Sequence, residues 1–140
     1  MEDAFEASLR LLRHRDLSDA EVRRRLLARG FTSVESDDAV ERLVRTGMVD
    51  DGRFAILRAS SLAARGAGDA LIRHDLERAG VPSEVADEAI AGLEPEPERA
   101  RTVVERRGTS SRTLRYLQAK GFAVESIHGL VADARAEELG

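Results

Sequence analysis

The chain has 140 residues, of which 42% are hydrophobic, 34% are charged and only 4% are aromatic, and its formal net charge is −4. Because tryptophan is absent, a core must come mainly from Leu, Val, Ala and Ile, which favours small helical units over a sheet sandwich. The absence of cysteine excludes disulfides, thiolate metal sites and cysteine nucleophiles. Residues 1–12 lack the basic start of a secretory signal, and no apolar run reaches the roughly 20 residues of a bilayer span, so we expect a cytoplasmic chain.

Charge is distributed unevenly along the chain. Residues 1–48 carry a net charge of −1, residues 49–98 carry −6 and residues 99–140 carry +3. Of the 22 basic residues, all but Lys120 are arginine. Arginine suits bidentate contacts with phosphate or carboxylate, although a GC-rich genome accounts for the bias more simply.

Three helices are predicted within residues 4–46. Apolar residues recur at helical spacing in the first, at Phe5, Leu9 and Leu12. The second and third each begin with a capping box, formed by Ser18 with Glu21 and by Thr32 with Glu35. Glycines end predicted helices here and later in the chain, at Gly30, Gly47, Gly80, Gly108 and Gly121.

The same layout is predicted twice more along the chain. The expected helix starts are Asp50, Asp69, Ser83 and Thr109. In the helix after Asp50, Phe54 and Leu57 are expected to share one buried stripe.

An internal repeat connects these segments. One shift of the sequence against itself aligns Leu26 with Leu76, and a second shift aligns Leu76 with Leu117; a glycine follows each leucine at the same spacing. The same two shifts align two further sets, Leu12 with Leu62 and Val103, and Val40 with Ile90 and Val131. Leucine before a glycine stop is common in any helix, but agreement at three places favours a repeat. We therefore predict an all-α fold of three tandem three-helix repeats, 1–48, 49–95 and 96–140, forming an elongated, curved array.

Basic side chains are the candidate partner-binding residues. They are Arg23, Arg24, Arg25 and Arg29 in the first repeat, Arg73 and Arg78 in the second, and Arg106, Arg107, Arg112, Arg115 and Lys120 in the third. Any single arginine is more simply a solvated helix face with acidic neighbours. As a cluster they indicate contact with an acidic protein surface or with DNA phosphates, and those of the third repeat are the better candidates for DNA phosphates. Tyr116 lies among them and either packs partly or stacks on a base.

No catalytic or metal site is predicted. The three histidines fall in three different repeats, and no Gly-rich phosphate loop follows a strand. We therefore expect a binding protein without catalytic residues, metal or cofactor.

Residues 47–55 (Gly-Met-Val-Asp-Asp-Gly-Arg-Phe-Ala) resemble the segment joining the first two repeats in the RecX family, regulators of the RecA recombinase. Residues 17–31 and 68–80 resemble the middle helices of that family's first and second repeats, and the resemblance extends over residues 5–131. Two positions depart from the family: Asp69 stands where proline is common, and Gly52 stands where a charged residue is usual. The resemblance implies a modulator that binds RecA and its filament on single-stranded DNA and restrains its ATP-dependent activities in recombinational repair.

Two alternatives remain open at this stage. One is a helical-repeat module that binds nucleic acid without a recombinase, and the other is an adaptor for a different protein. The mixed charge suits a protein filament better than naked DNA, which favours a strongly basic footprint. We expect the chain to act as a monomer.

Overall fold

The computed structural model describes residues 1–130, which form eight complete helices and the beginning of a ninth, with no strand in this range. The helices are α1 (Ala4–His14), α2 (Asp19–Ala28), α3 (Ser33–Arg45), α4 (Asp51–Ala64), α5 (Asp69–Arg78), α6 (Ser83–Ala91), α7 (Glu96–Arg107), α8 (Ser111–Ala119) and α9, which starts at residue 124. The predicted all-α fold of tandem three-helix units is confirmed.

Helix starts follow the predicted capping chemistry in the first unit. Both capping boxes are present, with the hydroxyls of Ser18 and Thr32 accepting the backbone amides of Glu21 and Glu35, each at 3.1 Å. The Asp50 carboxylate likewise accepts the Arg53 amide at 2.9 Å at the start of α4. These side chains satisfy amides that have no partner within the helix.

Three predicted starts were wrong by one residue. Gly68, not Asp69, is the cap of α5, because the Asp69 carboxylate is bound by Arg99 at 2.8 and 2.5 Å. Pro82, not Ser83, is the cap residue of α6. Its ψ of 143° lies outside the helical range, and Ser83 is already the first residue of the helix. Helix α8 is capped by Ser110 rather than started at Thr109.

Each three-helix unit has its own hydrophobic cluster. The aligned leucines Leu26, Leu76 and Leu117 are all fully buried, one in each cluster. The two sequence shifts found in the repeat therefore align equivalent core positions. Val131, aligned with Val40 and Ile90, lies outside the described residues.

Phe54 and Leu57 were predicted to share a buried stripe on α4, and this prediction was correct for only one of them. Phe54 is buried, but Leu57 is 53% exposed. The buried face of α4 runs instead through Phe54, Ala55 and Ala59, where small side chains allow α4 to pack against α5 and α6. Leu57 points away from that face.

Successive units are joined through the ends of their middle helices. At the first junction, the Ser18 hydroxyl at the start of α2 donates to the carbonyl oxygen of Ala79 at the end of α5. At the second, the Gly68 amide at the start of α5 donates to the Lys120 carbonyl at the end of α8 at 2.8 Å. These two contacts occupy equivalent positions, since the same two shifts align their residues. Helices α2, α5 and α8 therefore meet end to end, with positive N-termini against negative C-termini.

A carboxylate from the following unit completes each junction. Asp51, the first residue of α4, accepts the Asp19 amide of α2 at 3.0 Å. Glu96, the first residue of α7, accepts the Asp69 amide of α5 at 2.7 Å. Both acids satisfy the exposed amides of a helix N-terminus, as expected from the helix dipole.

Glycine permits the close approach of backbones at the second junction. A Cβ atom on Gly68 would lie only 2.4 Å from the carbonyl carbon of Gly121. At the first junction, a Cβ on Gly80 would lie 2.4 Å from the Cβ of Ala20. The glycines therefore serve the contacts between units as well as the helix ends.

Candidate interaction surface

Four of the predicted arginines lie on α2 and its C-terminal cap. Arg23 donates from Nε to Asp37 Oδ1 on α3 at 2.6 Å, and Arg24 donates from Nη2 to the Arg78 carbonyl at 2.8 Å. The side chains of Arg25 and Arg29 are exposed and have no ion pair within residues 1–130. Two of the four therefore have structural contacts, and two are available to a partner.

Helix α5 repeats this arrangement in the second unit. Arg73 donates to Asp87 Oδ1 at 3.0 Å, and the shift that aligns the first two repeats relates this pair to Arg23 and Asp37. Both are surface pairs, each expected to contribute about 1 kcal/mol or less to stability. Arg78 is exposed and contacts the first unit through its backbone carbonyl.

The third unit carries the other predicted residues on α7, α8 and the cap that follows. Arg106, Arg112 and Arg115 are exposed, while Lys120 is half-buried and contributes its carbonyl to the junction. The Arg107 guanidinium lies 3.7 Å above the centre of the Tyr116 ring. This cation–π contact gives Tyr116 a partner within the chain, so the ring is partly packed rather than free on both faces.

A cavity of about 630 Å³ opens between the C-terminal half of α4 and helices α7 and α8. Its volume is within the range of ligand pockets. Its lining brings together two residues predicted from sequence, Arg106 and Arg107, with Tyr116. The rest of the lining consists of Ser60, Ala63, Ala64, Arg65, Gly66, Leu93, Glu94, Arg99, Thr102, Val103 and Phe122. The other predicted basic residues do not line this cavity.

Two half-buried acids at the junctions have perturbed pKa values. Burial raises the pKa of Asp69, opposed by the positive charge of Arg99. Burial also raises the pKa of Asp51, opposed by the hydrogen bond from the Asp19 amide. On α4, the hydrogen bond from Arg58 to Asp75 at 2.8 Å raises the pKa of the guanidinium. Asp51 and Asp69 therefore have less favourable environments for charge than exposed acids.

Sequence reasoning missed Arg65, Glu96 and Arg99. A signal for Arg65 was present, because a basic residue stands directly before several glycine stops, as Arg29 stands before Gly30. Glu96 and Arg99 had no local signal, since their partner Asp69 is separated from them by 27 and 30 residues.

The surface can bind anions through guanidinium groups presented on helices and around the cavity. Within residues 1–130, no three His, Cys, Asp or Glu side chains gather as metal ligands. In the same range, no helix is long and apolar enough to cross a bilayer.

Comparison with known proteins gives consistent matches. The sequence models described as "RecX, first three-helix domain" and "RecX, second three-helix domain" match residues 4–43 and 50–90. The chain is 34% identical to the regulatory protein RecX of Trichlorobacter lovleyi, with 91% of this chain and 93% of that protein covered. It is 35% identical to the regulatory protein RecX of Syntrophotalea carbinolica, with 86% and 89% covered.

The fold is also found among solved structures. The crystal structure of RecX from Lactobacillus salivarius superposes with a TM-score of 0.78 and 17% identity, covering 93% of each chain. That identity is low enough for the structure to support the fold alone, while the curated relatives support the family. The chain belongs to the RecX family of regulatory proteins.

Proposed function

We propose that this chain binds the RecA recombinase and its filament on single-stranded DNA, and inhibits or modulates strand exchange and ATP hydrolysis. It would act in DNA recombination and repair and in the SOS response, as a cytoplasmic monomer without catalytic activity or cofactor. Membership of the RecX regulatory family across nine tenths of the chain carries the proposal.

The end-to-end arrangement of α2, α5 and α8 supports this function. It makes one row of middle helices from three units, which we assign to residues 1–48, 49–95 and 96–140. Repeat proteins of this kind present extended surfaces that follow an extended partner, and a filament groove is such a partner. Mixed charge along the row suits a nucleoprotein filament, which exposes both protein and phosphate.

We assign the partner contacts to the basic residues on this row and on α7. The first candidates are side chains with no ion pair to any residue in the range 1–130, because binding breaks no ion pair there; they are Arg25, Arg29, Arg112 and Arg115. Arg23 and Arg73 would contribute through the guanidinium nitrogens that their aspartates leave unoccupied.

RecA-catalysed, single-stranded-DNA-dependent ATP hydrolysis tests the proposal. We expect this protein to reduce the rate at ratios well below one per RecA, because one molecule in a filament affects many subunits. The variant Arg25→Gln/Arg29→Gln should need a higher concentration than the control Arg13→Gln/Arg15→Gln, which removes the same charge from exposed positions near the end of α1.

Two other results would support a different function. Tight, salt-sensitive binding to free DNA without inhibition would identify a nucleic-acid-binding module that acts without a recombinase. Absence of both effects would identify an adaptor for another protein.

A further inference from the structure

We propose that the cavity between α4, α7 and α8 binds a short acidic peptide segment of a partner protein. One carboxylate of that segment lies against the guanidinium groups of Arg65 and Arg106, and an adjacent apolar side chain packs against the apolar part of the lining. This inference goes beyond the function proposed above, because it concerns the chemistry of the cavity and holds whichever protein supplies the segment.

The basic lining has charge available for an anion. Arg65, the cap residue at the end of α4, and Arg106, near the end of α7, are exposed and form no ion pair within residues 1–130. Arg99 also lines the cavity, but it is already bound to Asp69. Arg107 lines the cavity as well, but it lies over the Tyr116 ring. The ligand therefore meets the guanidinium groups of Arg65 and Arg106, whose paired N–H donors match the two oxygens of a carboxylate.

Part of the cavity lining is apolar. Leu93, Val103 and Phe122 belong to it, and Phe122 is only 4% exposed within the third cluster. Burial of one leucine-sized side chain on such a surface provides an affinity that a bare ion does not obtain. A ligand with a charged group next to an apolar group uses both parts of the cavity.

Several features favour a peptide over a nucleic-acid strand. One face of the Tyr116 ring is covered by Arg107, and its hydroxyl end lies close to Gly66, so at most one face is left for stacking a base. Glu94 also lines the cavity and repels any bound anion, so it opposes a nucleic-acid strand, with a phosphate at every nucleotide, more than a peptide with one or two carboxylates. In a peptide, the same Glu94 carboxylate can accept a backbone amide beside the bound acid.

The cavity is held in shape by the junction between the second and third units. Its walls come from both units, and Glu96 links the start of α5 to Ala123 and Ser126 at the start of α9. The Arg99–Asp69 pair adds a second connection at 2.5 Å. Because the walls are fixed before binding, little ordering entropy is lost when the ligand enters.

Tyr116 makes the cavity directly observable. It is the only tyrosine in the chain, and tryptophan is absent, so intrinsic tyrosine fluorescence reports this cavity alone. The probe is an acetylated and amidated peptide, Gly-Leu-Glu-Glu-Gly, and its control is Gly-Leu-Gln-Gln-Gly, which has the same shape without charge. Calorimetric titration measures both peptides, inorganic phosphate and a short thymidine oligonucleotide on one scale.

We expect the glutamate peptide to bind and to change the Tyr116 emission, and the glutamine peptide to bind at least about tenfold more weakly. Arg65→Gln and Arg106→Gln should each weaken binding of the glutamate peptide by about tenfold, because each removes a charge-assisted contact. Arg13→Gln, an equal change of charge at an exposed position on α1, should change it less than about twofold.

Three results would overturn the proposal. Tighter binding of the oligonucleotide or phosphate than of the glutamate peptide, lost in the same variants, would assign the cavity to phosphate. Equal weakening by Arg13→Gln would show non-specific attraction. If the glutamate peptide does not bind while circular dichroism shows that the protein is folded, the cavity is not a site for an acidic peptide.

Discussion

Glu96 is the most informative position for testing how the units are joined. The residue is 8% exposed, and its carboxylate accepts three hydrogen bonds, from the amides of Asp69 and Ala123 at 2.7 Å and from the Ser126 hydroxyl at 3.0 Å. Substitution Glu96→Gln keeps the size of the side chain but replaces one acceptor oxygen with an NH₂ donor. At least one amide hydrogen then faces another donor, and every remaining bond loses its charge.

The expected loss of stability follows from these contacts. A hydrogen bond to a charged group contributes roughly 1.5–3 kcal/mol, and a neutral one contributes about half as much. Loss of the bond from Asp69, with weakening of the other two, gives a destabilisation of about 3 kcal/mol. Urea unfolding followed by far-UV circular dichroism measures it, and separation of the transition into two steps would indicate uncoupling of the third unit.

Glu98→Gln is the matched control on the same helix. Glu98 is exposed and lies 3.9 Å from Arg101, a surface pair that contributes less than about 1 kcal/mol. A difference between the two variants smaller than about 0.5 kcal/mol would refute the role assigned to Glu96.

Further predictions concern the junctions and the basic surface. Gly68→Ala should lower the melting temperature by several degrees, because its Cβ would meet backbone, whereas Gly129→Ala has open space and should be neutral or slightly stabilising. Burial raises the pKa of Asp51 in the folded state, so the wild-type protein loses free energy of unfolding as this carboxyl group ionises with rising pH. The variant Asp51→Asn cannot ionise and should therefore become more stable relative to wild type as pH rises above about 4. Urea titrations at a series of pH values measure this difference. Arg112→Glu/Arg115→Glu should weaken filament binding more at low salt than at high salt, and an unchanged salt dependence would count against contact through these residues.

The fold was largely predictable because its signals are local. A capping box such as Ser18 with Glu21 spans a single helical turn, and a glycine stop such as Gly30 acts on its own helix. One of the three wrong starts involves a distant residue, because the carboxylate of Asp69 is bound by Arg99, 30 positions later, instead of capping its own helix. Leu57 was misplaced because its helix buries small alanines instead.

The candidate surface was less predictable. Arginine-rich helices were evident from the sequence, but the division between structural and available side chains depends on tertiary contacts. Arg23 and Arg24 are neighbours in sequence, yet one pairs with α3 and the other reaches the next unit. The cavity combines α4 with α7 and α8, and no sequence pattern shows which ends of separate helices will converge.

The two junctions use equivalent positions with different chemistry, and the difference explains why the cavity lies at the second. At the first, Asp51 reaches only the Asp19 amide, at 3.0 Å. At the second, the longer Glu96 also binds the start of α9, and the Arg99–Asp69 pair reinforces it. A more extensively bonded junction holds its flanking helices in one geometry, which is the condition for a preformed binding cavity. Asp69 therefore lies at the position where Arg99, which lines that cavity, joins the second unit to the third.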